Sequence, residues 1–199
     1  MNSQPYIPIH KNAPCRRTDI QPRNRYTLYK EDLRVDFSKK CGYCGTADYY
    51  SGGQRGFHID HFAPKKKFFA LTNTYYNLVY SCPTCNIGKS DDWPSESAEV
   101  SYVGDIGYID PCSNEYTNHL ARAHTGKIIA LTTLGIYIHK RLKLGLKRRQ
   151  ICWLIDKMES QLDELGKIIE DNPDDSERLQ NFFKLTMKYR AYVGILKSE

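Results

Sequence analysis

Two Cys-x-x-Cys pairs, Cys41-Gly-Tyr-Cys44 and Cys82-Pro-Thr-Cys85, constrain the fold of this chain more than any other feature. For four thiolates to converge on one tetrahedral metal, the 37 residues between the pairs must leave the cage and return to it. That gap exceeds the roughly 15–20 residues of a compact ribbon, so the segment must hold structure of its own. Its pattern predicts a hairpin: Phe57 to Phe62 as a short strand that Pro64 ends, and Leu78 to Ser81 as the strand that returns. Pro83 then suits the first turn of a helix carrying Cys85, Asn86 and Lys89, which Pro94 stops.

Four sulfurs fill a tetrahedral shell and leave no open position, so the expected metal is a structural Zn2+. The alternative, a thioredoxin-like redox pair, fits poorly with two such pairs around a hairpin. The N-terminus lacks a signal-peptide core and no stretch reaches the roughly 18–20 apolar residues of a membrane span. This predicts a cytoplasmic protein with no membrane partner, in a reducing setting where paired cysteines hold metal. The odd total of seven cysteines also argues against a disulfide framework. Cys15, Cys112 and Cys152 are expected to be small buried hydrophobes.

A second set of polar residues falls beside the cage: His58, Asp60 and His61 on the first strand, Asn77 before the second, and Asn86 directly after Cys85. A carboxylate and an amide oxygen suit a hard divalent cation that keeps most of its waters, Mg2+ or Mn2+, with Asp60 and Asn86 as ligands. Neutral imidazole near pH 7 makes His61 the natural general base for attack of water on phosphorus. The cation would offset charge on the transition state and the departing oxygen. Neighbours on an ideal strand point to opposite faces, so a bulge or a strand end is expected at Asp60–His61. His58, two residues from Asp60, shares its face and is either packed or a further contact.

The net charge of +6 is unevenly spread. Lys140, Arg141, Lys143, Lys147, Arg148 and Arg149 crowd one segment, Lys65, Lys66 and Lys67 follow the Asp-His step, and arginines stud the N-terminal arm. Such runs around a hydrolytic site fit a polyanionic partner, with Lys65, Lys66, Lys67, Lys89, Lys147, Arg148 and Arg149 as nucleic-acid contacts. The chain reads as an extended basic arm over residues 1–26, a core over 27–105 opening with a helix over 27–39 and a polar loop over 46–56, and a region over 106–199. That last region is expected to hold an extended Tyr108–Pro111, a hairpin over 120–131 turning near Gly126, and a helix over 134–144. A long helix with an apolar face from Ile151 to Ile169 follows, broken at Asn172-Pro173, and then a final helix.

Asp60-His61, Asn77 in Tyr76-Asn-Leu-Val79, and Cys82-Pro-Thr-Cys85-Asn86-Ile-Gly-Lys89 resemble the HNH endonuclease family of the zinc-bearing ββα-metal type. The resemblance covers about residues 41–93. It implies an α+β protein: a ββα-metal core with a four-cysteine zinc knuckle, followed by a mainly helical C-terminal region. It also implies His61 as general base, Asp60 and Asn86 as ligands of the catalytic metal, Asn77 as the residue that orients His61, and His58 as a contact to phosphate or leaving group. DNA is the implied substrate, with RNA left open. A looser similarity, through Tyr108-Ile-Asp-Pro-Cys112 and Gly126-Lys-Ile-Ile129, is to HNH proteins of bacterial anti-phage operons. It implies an ABC-type ATPase partner that could dock on the C-terminal helices. The competing reading is a non-catalytic zinc module that binds nucleic acid or a protein.

Overall fold

The computed structural model describes residues 6–198 and divides the chain into two compact units, one through Gly145 and one from Leu146. In the first unit a 3-10 turn, Tyr26–Tyr29, runs into helix α1, Lys30–Asp36. This helix stops short of the expected 39, because Ser38 and Lys39 take positive φ (52° and 59°) to turn the chain into the first cysteine pair. Leu33 on α1 and Phe37 just after it are fully buried; each such side chain contributes about 1.5–3 kcal/mol relative to exposure. The expected polar loop after the knuckle contains a 3-10 turn, Asp48–Ser51, and a single turn α2, Gly53–Gly56. Its Asp48 is buried because it accepts from Arg34 Nε (2.6 Å) and the Tyr80 hydroxyl (2.9 Å).

Strands β1, His58–His61, and β2, Leu78–Ser81, form the predicted antiparallel hairpin, with Asp60 opposite Val79 and His61 opposite Leu78. The ladder has no bulge in this register; the strand end is the alternative that occurs, since β1 stops at His61. Helix α3, Pro83–Lys89, starts from Cys82 with Pro83 in its first turn and packs on β1. It ends at Ser90, whose φ of 51° breaks the helix before Pro94 is reached.

The hairpin β3, Tyr102–Val103, with β4, Ile106–Gly107, comes next, followed by a turn α4, Tyr116–His119. A third hairpin pairs β5, Leu120–Arg122, with β6, Ile128–Ala130, turning through Gly126 at φ 86° as expected. Helix α5, Thr133–Arg141, is capped by the Thr132 hydroxyl, which accepts from Gly135 N–H. Tyr108, Tyr116, Leu120, Leu134, Ile138 and Leu142 share one core with Leu33, Phe37, Leu78 and Tyr80, so no boundary falls at 105/106. Helix α3 meets the end of α5 so closely that a Cβ on Gly88 would lie 2.5 Å from the Arg141 carbonyl oxygen. Asp92 Oδ2 adds a polar clasp there, accepting from Tyr108, Tyr137 and Arg141.

The basic arm is stitched to this core rather than free. Ile7 exchanges backbone hydrogen bonds with Arg122, and buried Arg16 donates to Leu78 O (2.7 Å) and pairs with Asp110 (2.8 Å). The first five residues assigned to the arm lie outside the described residues. Cys15 is exposed and Cys112 half-buried, against expectation, while Cys152 is buried. The second unit is a helical hairpin of α6, Lys147–Asp171, and α7, Ser176–Ser198, with the break at Asn172-Pro173 where the sequence places it. Among the described residues no helix is long and apolar enough to cross a membrane.

Candidate functional site

The first cysteine pair sits on a tight turn in which Gly45 N–H donates to Cys41 O (2.8 Å) and Gly45 takes φ 69°. A hydrogen bond from Gly42 N–H to Tyr80 O (2.9 Å) ties this turn to β2, and the second pair opens α3 directly after β2. The four Sγ atoms lie within 4.8 Å of one another, Cys44 and Cys82 at 3.9 Å. A tetrahedral Zn–S distance of about 2.3 Å requires sulfurs roughly 3.8 Å apart, so the set fits zinc. All four are buried, and burial pushes the Cys41 and Cys85 thiols well up. Thiolates in this setting need a cation to hold their charge.

Beside the cage a cleft of about 630 Å3 is lined by His58, Asp60, His61 and Asn86, and also by Tyr26 and Lys65. The structure therefore brings four of the five sequence-predicted polar residues to one cavity, and Asn77 stands behind them.

His61 is buried at the end of β1. Its Nε2 lies 2.9 Å from Thr72 O, a pure acceptor, so Nε2 carries the proton and Nδ1 is the basic atom of the neutral ring. Burial, aided by Lys65 and Lys89, holds its pKa below the ordinary histidine value, against the pull of the Thr72 bond. The Tyr26 ring packs edge-on against it at 4.7 Å.

Asn77 does not face the cleft. Its Oδ1 accepts from Ala63 N–H (2.8 Å), and its Nδ2 donates to Ala63 O (2.9 Å) and Leu71 O (3.4 Å). These bonds pin both ends of the loop whose Thr72 carbonyl holds His61.

Asp60 is buried, and Oδ2 accepts from the Tyr43 hydroxyl at 2.5 Å with Lys89 Nζ at 3.6 Å. Burial pushes its pKa above the usual carboxylate range; Lys89 and the Tyr43 bond work against that shift. Asn86 Nδ2 donates to His58 Nδ1 (3.0 Å), which sets the orientation of the amide. A carboxylate and an amide oxygen are hard donors of the kind Mg2+ or Mn2+ takes.

The predicted phosphate contacts divide. Lys65, Lys66 and Lys67 are exposed after β1, with Lys65 Nζ donating to the Tyr26 hydroxyl (3.2 Å). Lys66 faces Asp91 (3.6 Å) and Lys67 faces Glu96 (2.7 Å), which reduces their net charge. Lys89 is not a surface cation: it is fully buried, donates to His61 O (2.9 Å) and lies among the Phe62, Trp93 and Tyr108 rings. In the second unit Lys147 and Arg148 are exposed, whereas Arg149 is buried.

Sequence reasoning missed Tyr43, Tyr26 and the Thr72 carbonyl. Tyr43 carried a signal, since it lies inside the first cysteine pair; the carbonyl carried none, because every residue has one.

Residues 41–92 match the family model described as HNH endonuclease. The match spans the four cysteines, both strands of the first hairpin and α3, and it supports a metal-dependent nuclease. No curated protein and no solved structure matches the chain.

Proposed function

We propose that the chain is a metal-dependent endonuclease that hydrolyses DNA phosphodiester bonds in the cleft beside the four-cysteine cage. One observation carries this reading: His61 has its Nε2 proton committed to a braced backbone carbonyl and its Nδ1 basic, next to Asp60 and Asn86 in one cavity. Nδ1 takes the proton of the attacking water, and the bond to Thr72 O keeps the ring in place as it becomes charged. Asp60 and Asn86 are the residues that would hold Mg2+ or Mn2+. When bound, the cation supplies positive charge against the crowded phosphate and the departing oxygen. Lys65 and His58, which line the same cleft, would take phosphate oxygens. The four-cysteine metal has no part in the chemistry, because its shell is complete.

Preference for DNA over RNA rests on the family resemblance. The exposed apolar residues Leu179, Phe183 and Met187 at fourfold spacing on α7 support a protein partner. That this partner is an ABC-type ATPase, and that the role is antiviral defence, rest on the looser sequence resemblance.

The reading is tested by plasmid cleavage with Mg2+ or Mn2+, wild type beside His61→Ala. Nicking or linearisation that disappears in the variant, with DNA affinity kept within about a few-fold, supports it; equal loss of cutting and binding marks His61 as structural. A second reading, a non-catalytic zinc module, is favoured by the burial of Asp60 and the engagement of its Oδ2. It predicts zinc-loaded, DNA-binding protein that cuts nothing with either cation.

A further inference from the structure

Both halves of the four-cysteine cage send one side chain to the same oxygen. Tyr43, between Cys41 and Cys44, is fully buried and donates its hydroxyl to Asp60 Oδ2. Lys89, on the helix that Cys85 clamps, brings Nζ to 3.6 Å from that oxygen and donates to the His61 carbonyl. Neither side chain has solvent to retreat to, since both are wholly buried. The knuckle backbone is itself held: Tyr43 O accepts from the Tyr116 hydroxyl (2.6 Å) and Gly42 N–H donates to β2. A carboxylate buried beside a cleft could rotate to satisfy itself in several ways. Here one oxygen is fixed from two directions by groups whose main chains are set by the cage.

We propose that Tyr43 and Lys89 are positioning residues for Asp60, which carry the geometry of the four-cysteine cage to the carboxylate that would bind the divalent cation. This rests on the nuclease reading above. The cage is then more than a staple for the hairpin, because its first loop and its helix jointly set the ligand direction at the neighbouring site. Lys89 does more than Tyr43, since it also ties the His61 main chain to the same helix.

Calorimetric titration of Mn2+ into the zinc-loaded full chain, run beside Mn2+-dependent plasmid nicking, tests this. The decisive variant is Tyr43→Phe, which keeps the buried ring and removes only the hydroxyl. It should retain zinc and stay folded at the assay temperature, with a melting temperature lowered by a few degrees for the lost buried hydrogen bond, bind Mn2+ about ten-fold more weakly, and recover its nicking rate at saturating Mn2+. Lys89→Met should weaken Mn2+ binding at least as much and should not recover, because His61 is released as well. Tyr137→Phe removes a similar hydroxyl–carboxylate bond, to Asp92, between two residues that do not line the cleft, and should bind Mn2+ like wild type. A folded, zinc-loaded Tyr43→Phe with wild-type Mn2+ affinity overturns the proposal while leaving the nuclease reading intact if the wild type still cuts. A wild type that neither binds Mn2+ nor cuts overturns both.

Discussion

Replacing Asn77 with alanine should damage catalysis through a residue that never faces the cleft. The side chain is buried and makes two short bonds to the Ala63 main chain, at 2.8 and 2.9 Å, and a longer one to Leu71 O at 3.4 Å. Ala63 is itself buried, so its N–H and C=O would lose their partners without gaining water. An unpaired buried polar group costs about 1–3 kcal/mol, so the two together should cost roughly 3 kcal/mol. At roughly 2–4 °C per kcal/mol for a unit of this size, the melting temperature should fall by about 6–12 °C. The loop then no longer presents Thr72 O to His61 Nε2, and a misplaced general base costs on the order of 100-fold in rate. Circular dichroism gives the melting point. Single-turnover nicking, at a temperature where both proteins are folded, gives the rate. DNA affinity should stay close to wild type, because Asn77 meets no cleft surface. An Asn77→Ala protein that melts within about 2 °C of wild type, or nicks within about three-fold of its rate, refutes the loop-bracing account.

Three other outcomes are expected. If His61 is the general base proposed above it must be unprotonated to act, and burial holds it below its ordinary value of 6.5, so kcat/KM should rise along a limb centred below 6.5 and level off above it; a limb centred above about 7 contradicts this. Stripping zinc with a strong chelator should unfold the first hairpin and its knuckle, because a buried thiolate cage links metal binding to folding; unchanged melting after verified zinc loss contradicts it. Charge reversal at Lys147 and Arg148 should weaken DNA binding and flatten its log–log salt slope by roughly 0.9 for each phosphate no longer neutralised; an unchanged slope puts the DNA path elsewhere.

Local pattern carried much of the organisation. The cysteine spacing, Pro64, Pro83 and the strand pattern located the hairpin and the helix after it, and Asn172-Pro173 located the break between α6 and α7. Such signals are legible because they act within a few residues, through fixed φ, turn geometry or ligand convergence. The domain division was not legible. Residues 106–145 showed periodicity of their own, and nothing in it revealed that Tyr108, Tyr116 and Leu134 complete the core begun by Leu33 and Phe37.

The sequence by itself determined which chemical groups this chain owns and which of them neighbour the cage: four thiols in two pairs, an Asp-His step, and an asparagine bound to the last cysteine. Only the tertiary structure decided what each group does with its charge and its protons. Lys89 reads as one more cation in a basic chain, yet it is buried between Asp60 and the His61 carbonyl. Tyr43 reads as filler in a knuckle, yet its hydroxyl holds the carboxylate. The tautomer of His61 depends on a carbonyl eleven residues away that no residue type marks. The reason is physical: ligand spacing and turn propensity are properties of a short stretch of chain. Burial, tautomer and ion pairing depend on which distant groups share a low-dielectric interior, and that is settled only when the chain has closed around them.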